Sequence, residues 1–139
     1  MFSTAKRQGE AAETLFLLRA VSLGLVVSQP WGDNARYDFI VDSGGLLSRV
    51  QVKSVSRPSP RNAYHLCVAA GSGSRFPYTP RDIDFLAAYI IPEDIWYLIP
   101  SPVLRAVHTI SLHPAPTRQR PGRFEPFREA WHLLFSASG

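Results

Sequence analysis

Apolar residues recur every three or four positions early in the chain, at Ala12, Leu15, Phe16, Ala20 and Leu23, and this stripe predicts a helix from Thr4 to Leu23 that Gly24 stops. The period then shortens to two. "LVVSQP" (Leu25 to Pro30) predicts a short strand and "WGDN" a turn. Two alternating runs follow, Arg36 to Asp42 and Leu46 to Ser56, joined through Ser43, Gly44 and Gly45. That junction predicts a hairpin, because a type I′ turn needs positive φ at both central residues.

Further along, "AYHLCVAA" predicts a strand between the loops "RPSPRN" and "GSGSRFPYTP". "DIDFLAAYII" fits helix or strand, but "PEDI" followed by "WYLIP" favours strand, turn and strand. "SPVLRA" suits a helical turn and "HTISL" a last short strand. "FEPFREAWHLLF" predicts a closing helix with Phe127, Ala130, Trp131 and Leu134 on its apolar face. Tyr78, Trp96, Tyr97 and Trp131 are expected in the core or in contacts between copies. The order implies an α+β or mixed α/β fold, with one curved sheet and flanking helices. At 139 residues the chain, 1–139, reads as a single domain.

Composition removes several alternatives. No run approaches the roughly 18 apolar residues of a membrane span, and Glu10 and Glu13 stand where a secretory leader would be apolar. One cysteine, Cys67, allows no intrachain disulfide; it suits a reducing cytoplasm and a small buried position. The four histidines lack zinc-ligand spacing. The net charge of +4 is unevenly spread: Arg57, Arg61, Arg75 and Arg81 lie in one stretch without acids, and Arg105, Arg118, Arg120 and Arg123 in another. Such stretches suit a polyanion like nucleic acid, and they also occur as plain solvated loops.

If Gly44 and Gly45 form the turn, Ser43 pairs with Leu46 and Asp38 falls opposite Gln51. Tyr37, Phe39 and Val41 then share an apolar face with Val52, Val50 and Ser48. The other face carries Asp38, Gln51 and Lys53 among Ile40, Arg36 and Arg49. Opposed β-carbons lie about 4.5–5.5 Å apart, so a carboxylate and an amide oxygen there could share a hard cation such as Mg²⁺. Lys53 would hold a phosphate or an attacking water at its edge. The same trio is also compatible with an ordinary wet hairpin face, unless helices cover both sides of the sheet and make it costly.

With these residues in place, the chain resembles the PD-(D/E)xK nuclease superfamily, which has the restriction-endonuclease-like fold. It is most similar to the small archaeal Holliday-junction resolvases and to the PD-(D/E)xK endonucleases of group I introns. The resemblance runs through "GEAAETLFLLRAVSLGLVV" and "YDFIVDSGGLLSRVQVKS", and more loosely through "DIDFLAAYIIPEDIWYLIP" and "REAW". In these families a first-helix glutamate follows a glycine by four residues, an aspartate opens the second strand, and acid-x-lysine ends the third. Gly9 with Glu13, Asp38, and Gln51 with Lys53 match in that order, with Glu10 a rival to Glu13 one turn earlier. Gln51 departs from the pattern, supplying an oxygen without charge.

The resemblance implies a metal-dependent DNA endonuclease acting in homing-like or junction-resolving fashion. Its implied catalytic set is Glu13, Asp38, Gln51 and Lys53. Mg²⁺ or Mn²⁺ would be held by Asp38, the Gln51 side chain, the Val52 carbonyl and Glu13. Arg57, Arg61, Arg75, Arg118, Arg120 and Arg123 are candidates for DNA phosphates. Cleaving two strands with one site per chain implies a homo-oligomer, dimer or tetramer. Two rivals stay open: a DNA-binding module of this fold weakened or silenced by Gln51, and a non-enzymatic interaction protein.

Overall fold

A computed structural model describes residues 4–69, 78–115 and 120–136. Its helix α1 spans Ala5–Ser22, with the Thr4 side chain accepting the Arg7 N–H and Leu23 as C-cap. The strands are β1 (Val26–Ser28), β2 (Phe39–Ser43), β3 (Leu46–Val55), β4 (Tyr64–Cys67), β5 (Phe85–Ile90), β6 (Ile95–Pro100) and β7 (Thr109–Leu112). Five of them form one mixed sheet in the order β1-β2-β3-β5-β6, antiparallel except for β3 beside β5. The sheet is not alone. β4 and β7 pair in a second, two-stranded sheet, so the expectation of one curved sheet is corrected.

The second sheet exists because β5 and β6 are apolar on both faces. Leu86 to Ile90 and Trp96 to Ile99 are all buried, and a strand buried on both sides cannot alternate. That is why "DIDFLAAYII" fits helix and strand equally. One face packs under α1 with Phe39, Val50, Val52, Trp96 and Trp131. The other packs under β4 and β7 with Tyr97, Ile99, Leu66 and Ile110. A β-layer therefore stands where a second flanking helix was expected. β4 points outward at Cys67, which is exposed, not buried.

Helix α1 buries a narrower stripe than its pattern suggests: Ala12, Phe16 and Ala20 are inside, while Leu15 and Leu23 are 39 % and 38 % exposed. The two alanines let the helix approach the sheet and Phe16 fills the space between them. Its ring lies 5.4 Å from Phe39, 5.7 Å from Trp96 and 5.6 Å from Trp131, a cluster whose loss costs about 3–5 kcal/mol on truncation to alanine.

The predicted closing helix is absent. Glu125–Phe127 and Trp131–Leu134 are separate 3₁₀ turns, broken where Glu129 takes φ +48°. The break has a purpose in the sheet. Glu129 N–H donates to the Trp96 carbonyl, and its carboxylate accepts the Trp96 N–H and the Trp131 indole N–H, satisfying the edge of β6. Ala130, Trp131 and Leu134 still join the core under α1, whereas Phe127 packs on the opposite side.

Candidate active site

The hairpin has its expected turn, with Gly44 at φ +57° and Gly45 at +92°, and Ser43 pairs with Leu46. The ladder runs back only as far as Phe39 with Val50. At Asp38 the chain steps out of register by one residue, its N–H donating to the Val50 carbonyl at 2.8 Å. Direct opposition of Asp38 and Gln51 is therefore corrected. A one-residue step turns side chains to the other face, and Tyr37 accordingly packs with the second core instead of beside Phe39.

The step leaves the end of β3 unpaired on the β2 side, and Asp38 fills the opening. Its Oδ2 accepts the Val52 N–H at 2.7 Å. In a strand the N–H and C=O of one residue leave on the same side, so the Val52 carbonyl faces this opening too. Asp38, Gln51, Val52 and Lys53 line a cleft of about 280 Å³ there.

Helix α1 supplies the other wall through Gln8, Gly9, Ala12 and Glu13, at helical spacing. Gln8 Nε2 donates to Ser54 Oγ at 3.1 Å and ties the helix to β3. A Cβ added at Gly9 would meet nothing within 4 Å, so the glycine keeps the cleft open without being required by protein packing. Glu13 lines this cleft with Asp38 and Glu10 does not; Glu10 lies in an adjoining cleft with Thr14, Leu17 and Gln29, which Glu13 also borders.

Charge is concentrated in this cleft. Burial, then the Asp38 charge and its hydrogen bond, push Glu13 from 4.5 up to about 7. Asp38 is also raised by burial, against the opposing pull of the Val52 N–H, Glu13 and Lys53. Both carboxylates are thus biased toward their protonated forms in the metal-free cleft. Two half-buried carboxylates in one cleft, beside a backbone carbonyl and an amide oxygen, make an all-oxygen donor set that fits a hard divalent cation. Among the described residues there is no cluster of three or more His, Cys, Asp or Glu side chains able to hold a metal; beside its two carboxylates this cleft is lined by the neutral Gln51.

The arginines are dispersed. Arg57 and Arg61 are exposed beyond the end of β3, with Arg61 at φ +68°. Arg120 is exposed. Arg123 donates to the Val103 carbonyl at 3.3 Å and lies 5.2 Å over the Phe124 ring. Arg75 and Arg118 lie outside the described residues.

Several residues with evident roles had no individual signal in the sequence. Gln8 could have been found from its place on the stripe of Ala12. Arg49 could not: it pairs with Asp84 at 3.1 Å and donates to the carbonyls of Pro80 and Arg81, fixing the turn before β5. Arg36 is similarly held at 3.5 Å by Asp82.

Two comparisons with known proteins show that the chain is a nuclease. The model of the PD-(D/E)XK endonuclease family matches residues 3–134, and the chain belongs to that family. Among solved structures it is similar to a bacterial homing endonuclease, I-Ssp6803I, with 32% sequence identity and a TM-score of 0.85, over 95% of this chain and 93% of that one. No curated protein matches.

Proposed function

We propose that this endonuclease cleaves DNA with Mg²⁺ or Mn²⁺ held by Asp38, the Gln51 side-chain oxygen, the Val52 carbonyl and Glu13. The observation that carries the reading is the convergence of Glu13, Asp38, Gln51, Val52 and Lys53 on one cleft at the open end of β3. When bound, the metal supplies Lewis-acid stabilisation of the phosphoryl oxygens and of the attacking water.

The chain's own residues do the rest. Asp38 is oriented by the Val52 N–H, so its second oxygen faces the cleft. Lys53, close enough to Asp38 to favour its charged form, places an ammonium against the scissile phosphate or the nucleophile and offsets the negative charge that develops in an in-line displacement. Because the Glu13 carboxyl is pushed up to about 7, a proton must leave the cleft before both carboxylates can take a cation. Arg57 and Arg61, with Arg75, Arg118, Arg120 and Arg123, are assigned to flanking phosphates.

A protein that acts on both strands with one such cleft works as a homo-oligomer, dimer or tetramer. The outer face of α1, with Leu18 and Val21 66 % and 54 % exposed, is the apolar surface available for a second copy. No helix among the described residues is long and apolar enough to cross a membrane, and we place the enzyme in the cytoplasm as one nuclease domain over 1–139.

The test is incubation with linear, nicked and four-way-junction DNA, with and without Mg²⁺ or Mn²⁺. Lys53→Ala and Asp38→Asn each abolish metal-dependent cleavage and stay folded; full activity in either removes the mechanism. Gln51 favours one rival, a DNA-binding module without catalysis. DNA retardation with no divalent-metal binding by calorimetry would establish that rival instead.

A further inference from the structure

Trp31 stands exposed on the surface of the fold. It is 103 % exposed, whereas Trp96 and Trp131 are 4 % and 5 % exposed. Tryptophan is seldom left in water, since its indole carries more apolar area than nearly any other side chain. Pro30 restricts the chain before it, and Gly32 at φ +90° turns the chain after it, so the indole stands on a constrained turn.

The position of that turn is what gives it meaning. It belongs to the connection between β1 and Asp38. One end is held by pairing of Ser28 with Ile40, the other by the Arg36–Asp82 ion pair at 3.5 Å. Gln29, two residues before Trp31, lines the cleft that Glu13 borders. Trp31 therefore follows, by two residues, the segment that lines the cleft adjoining the carboxylate site, with Glu13 common to both clefts. The first turn of α1, on the helix end that lines the site, carries Lys6 and Arg7 and no acid. The apolar surface suited to a second copy, Leu18 and Val21, lies in the other half of that helix.

We propose that Trp31 stacks on an unstacked nucleobase, at a nick, a junction or a kinked step of DNA seated across the Asp38 cleft, holding the DNA beside the scissile phosphate by apolar contact while the cations hold its backbone. The proposal rests on the DNA reading above. Every base offers a π-face, so this contact is tolerant of sequence. It is also independent of counterion release. Trp31→Ala weakens DNA binding about 10- to 100-fold and leaves the slope of log affinity against log salt unchanged, whereas Arg57→Ala reduces that slope. Trp31→Phe retains most of the affinity.

Because the other two tryptophans are buried, acrylamide quenching of the free protein reports Trp31. The experiment adds linear, nicked or four-way-junction DNA at low salt without divalent metal, so that the DNA stays uncut, and follows gel retardation and quenching together. Protection of Trp31 in the retarded complex, with the weakened binding of Trp31→Ala, is the expected result. A retarded complex in which Trp31 stays fully quenchable and Trp31→Ala binds normally overturns the proposal and leaves the DNA reading standing. Protection that grows with protein concentration in the absence of DNA assigns Trp31 to a second copy and also overturns it. No retardation of any of the three DNAs by the unaltered protein removes both.

Discussion

The carboxylate of Asp38 accepts the N–H of Val52 at 2.7 Å, one residue past the last pair of the β2–β3 ladder. A side chain thus takes the hydrogen bond that a neighbouring strand would have made. This gives the carboxylate a fixed direction and keeps a strand from covering the Val52 carbonyl. Asp38→Ala leaves that N–H unpaired, an expected loss of about 1–3 kcal/mol, whereas Asp38→Asn keeps an acceptor and stays close to the parent in urea melts. Both lose cleavage.

Glu13 makes the metal-free protein pH-sensitive in a defined direction. Its value rises from 4.5 to about 7 on folding, so between those values the folded chain binds more protons than the unfolded one. Stability therefore falls as pH rises from about 4.5 to about 7 and levels off above. Thermal melts of the metal-free protein should show this fall, and Glu13→Gln should flatten it.

The same proton competes with a cation. Apparent Mg²⁺ or Mn²⁺ affinity should increase with pH up to about 7 and change little beyond. Calorimetry in buffers of different ionisation enthalpy should show proton release on binding at pH 6. An affinity flat across this range would contradict a Glu13–Asp38 metal site.

Gln51→Glu restores a third acid to the cleft. It should lower the metal concentration needed for half-maximal cleavage and, through repulsion with Glu13 and Asp38, lower the melting temperature without metal. A variant with unchanged metal dependence would show that the Gln51 oxygen is not a ligand.

Gly9 is a helical glycine with open space where its side chain would be. Gly9→Ala should raise stability by about 0.5–1 kcal/mol in denaturant melts. If DNA enters the cleft along α1, the added methyl should reduce cleavage at the same time. A stabilised and fully active variant would place the substrate elsewhere.

Much of this was legible because it depends on neighbours in sequence. The α1 stripe, the Gly44–Gly45 turn and the β5–β6 hairpin each follow from local period and turn chemistry. Two other elements misled for identifiable reasons. "FEPFREAWHLLF" has helical spacing, but Glu129 serves the edge of β6, a demand set by a strand more than thirty residues away. Cys67 looked like a buried small residue because nothing local tells which face of β4 meets the core.

For the site, the residue types and their order along the chain came from the sequence: Glu13 on the helix, Asp38 before the hairpin, Gln51 and Lys53 on its second strand. Their contacts did not. Ideal pairing sets Asp38 against Gln51, while the actual chain leaves the ladder at Asp38, moves Tyr37 to the other core and gives the carboxylate to Val52. Periodicity carries which face a side chain takes so long as pairing continues, and loses it where pairing ends. Only packing of α1 through Phe16 set Glu13 rather than Glu10 in the cleft of Asp38, and only the path of the connection from β1 left Trp31 standing in water. Local chemistry selects residues and turns; the distances that make a site come from contacts between segments far apart in the chain.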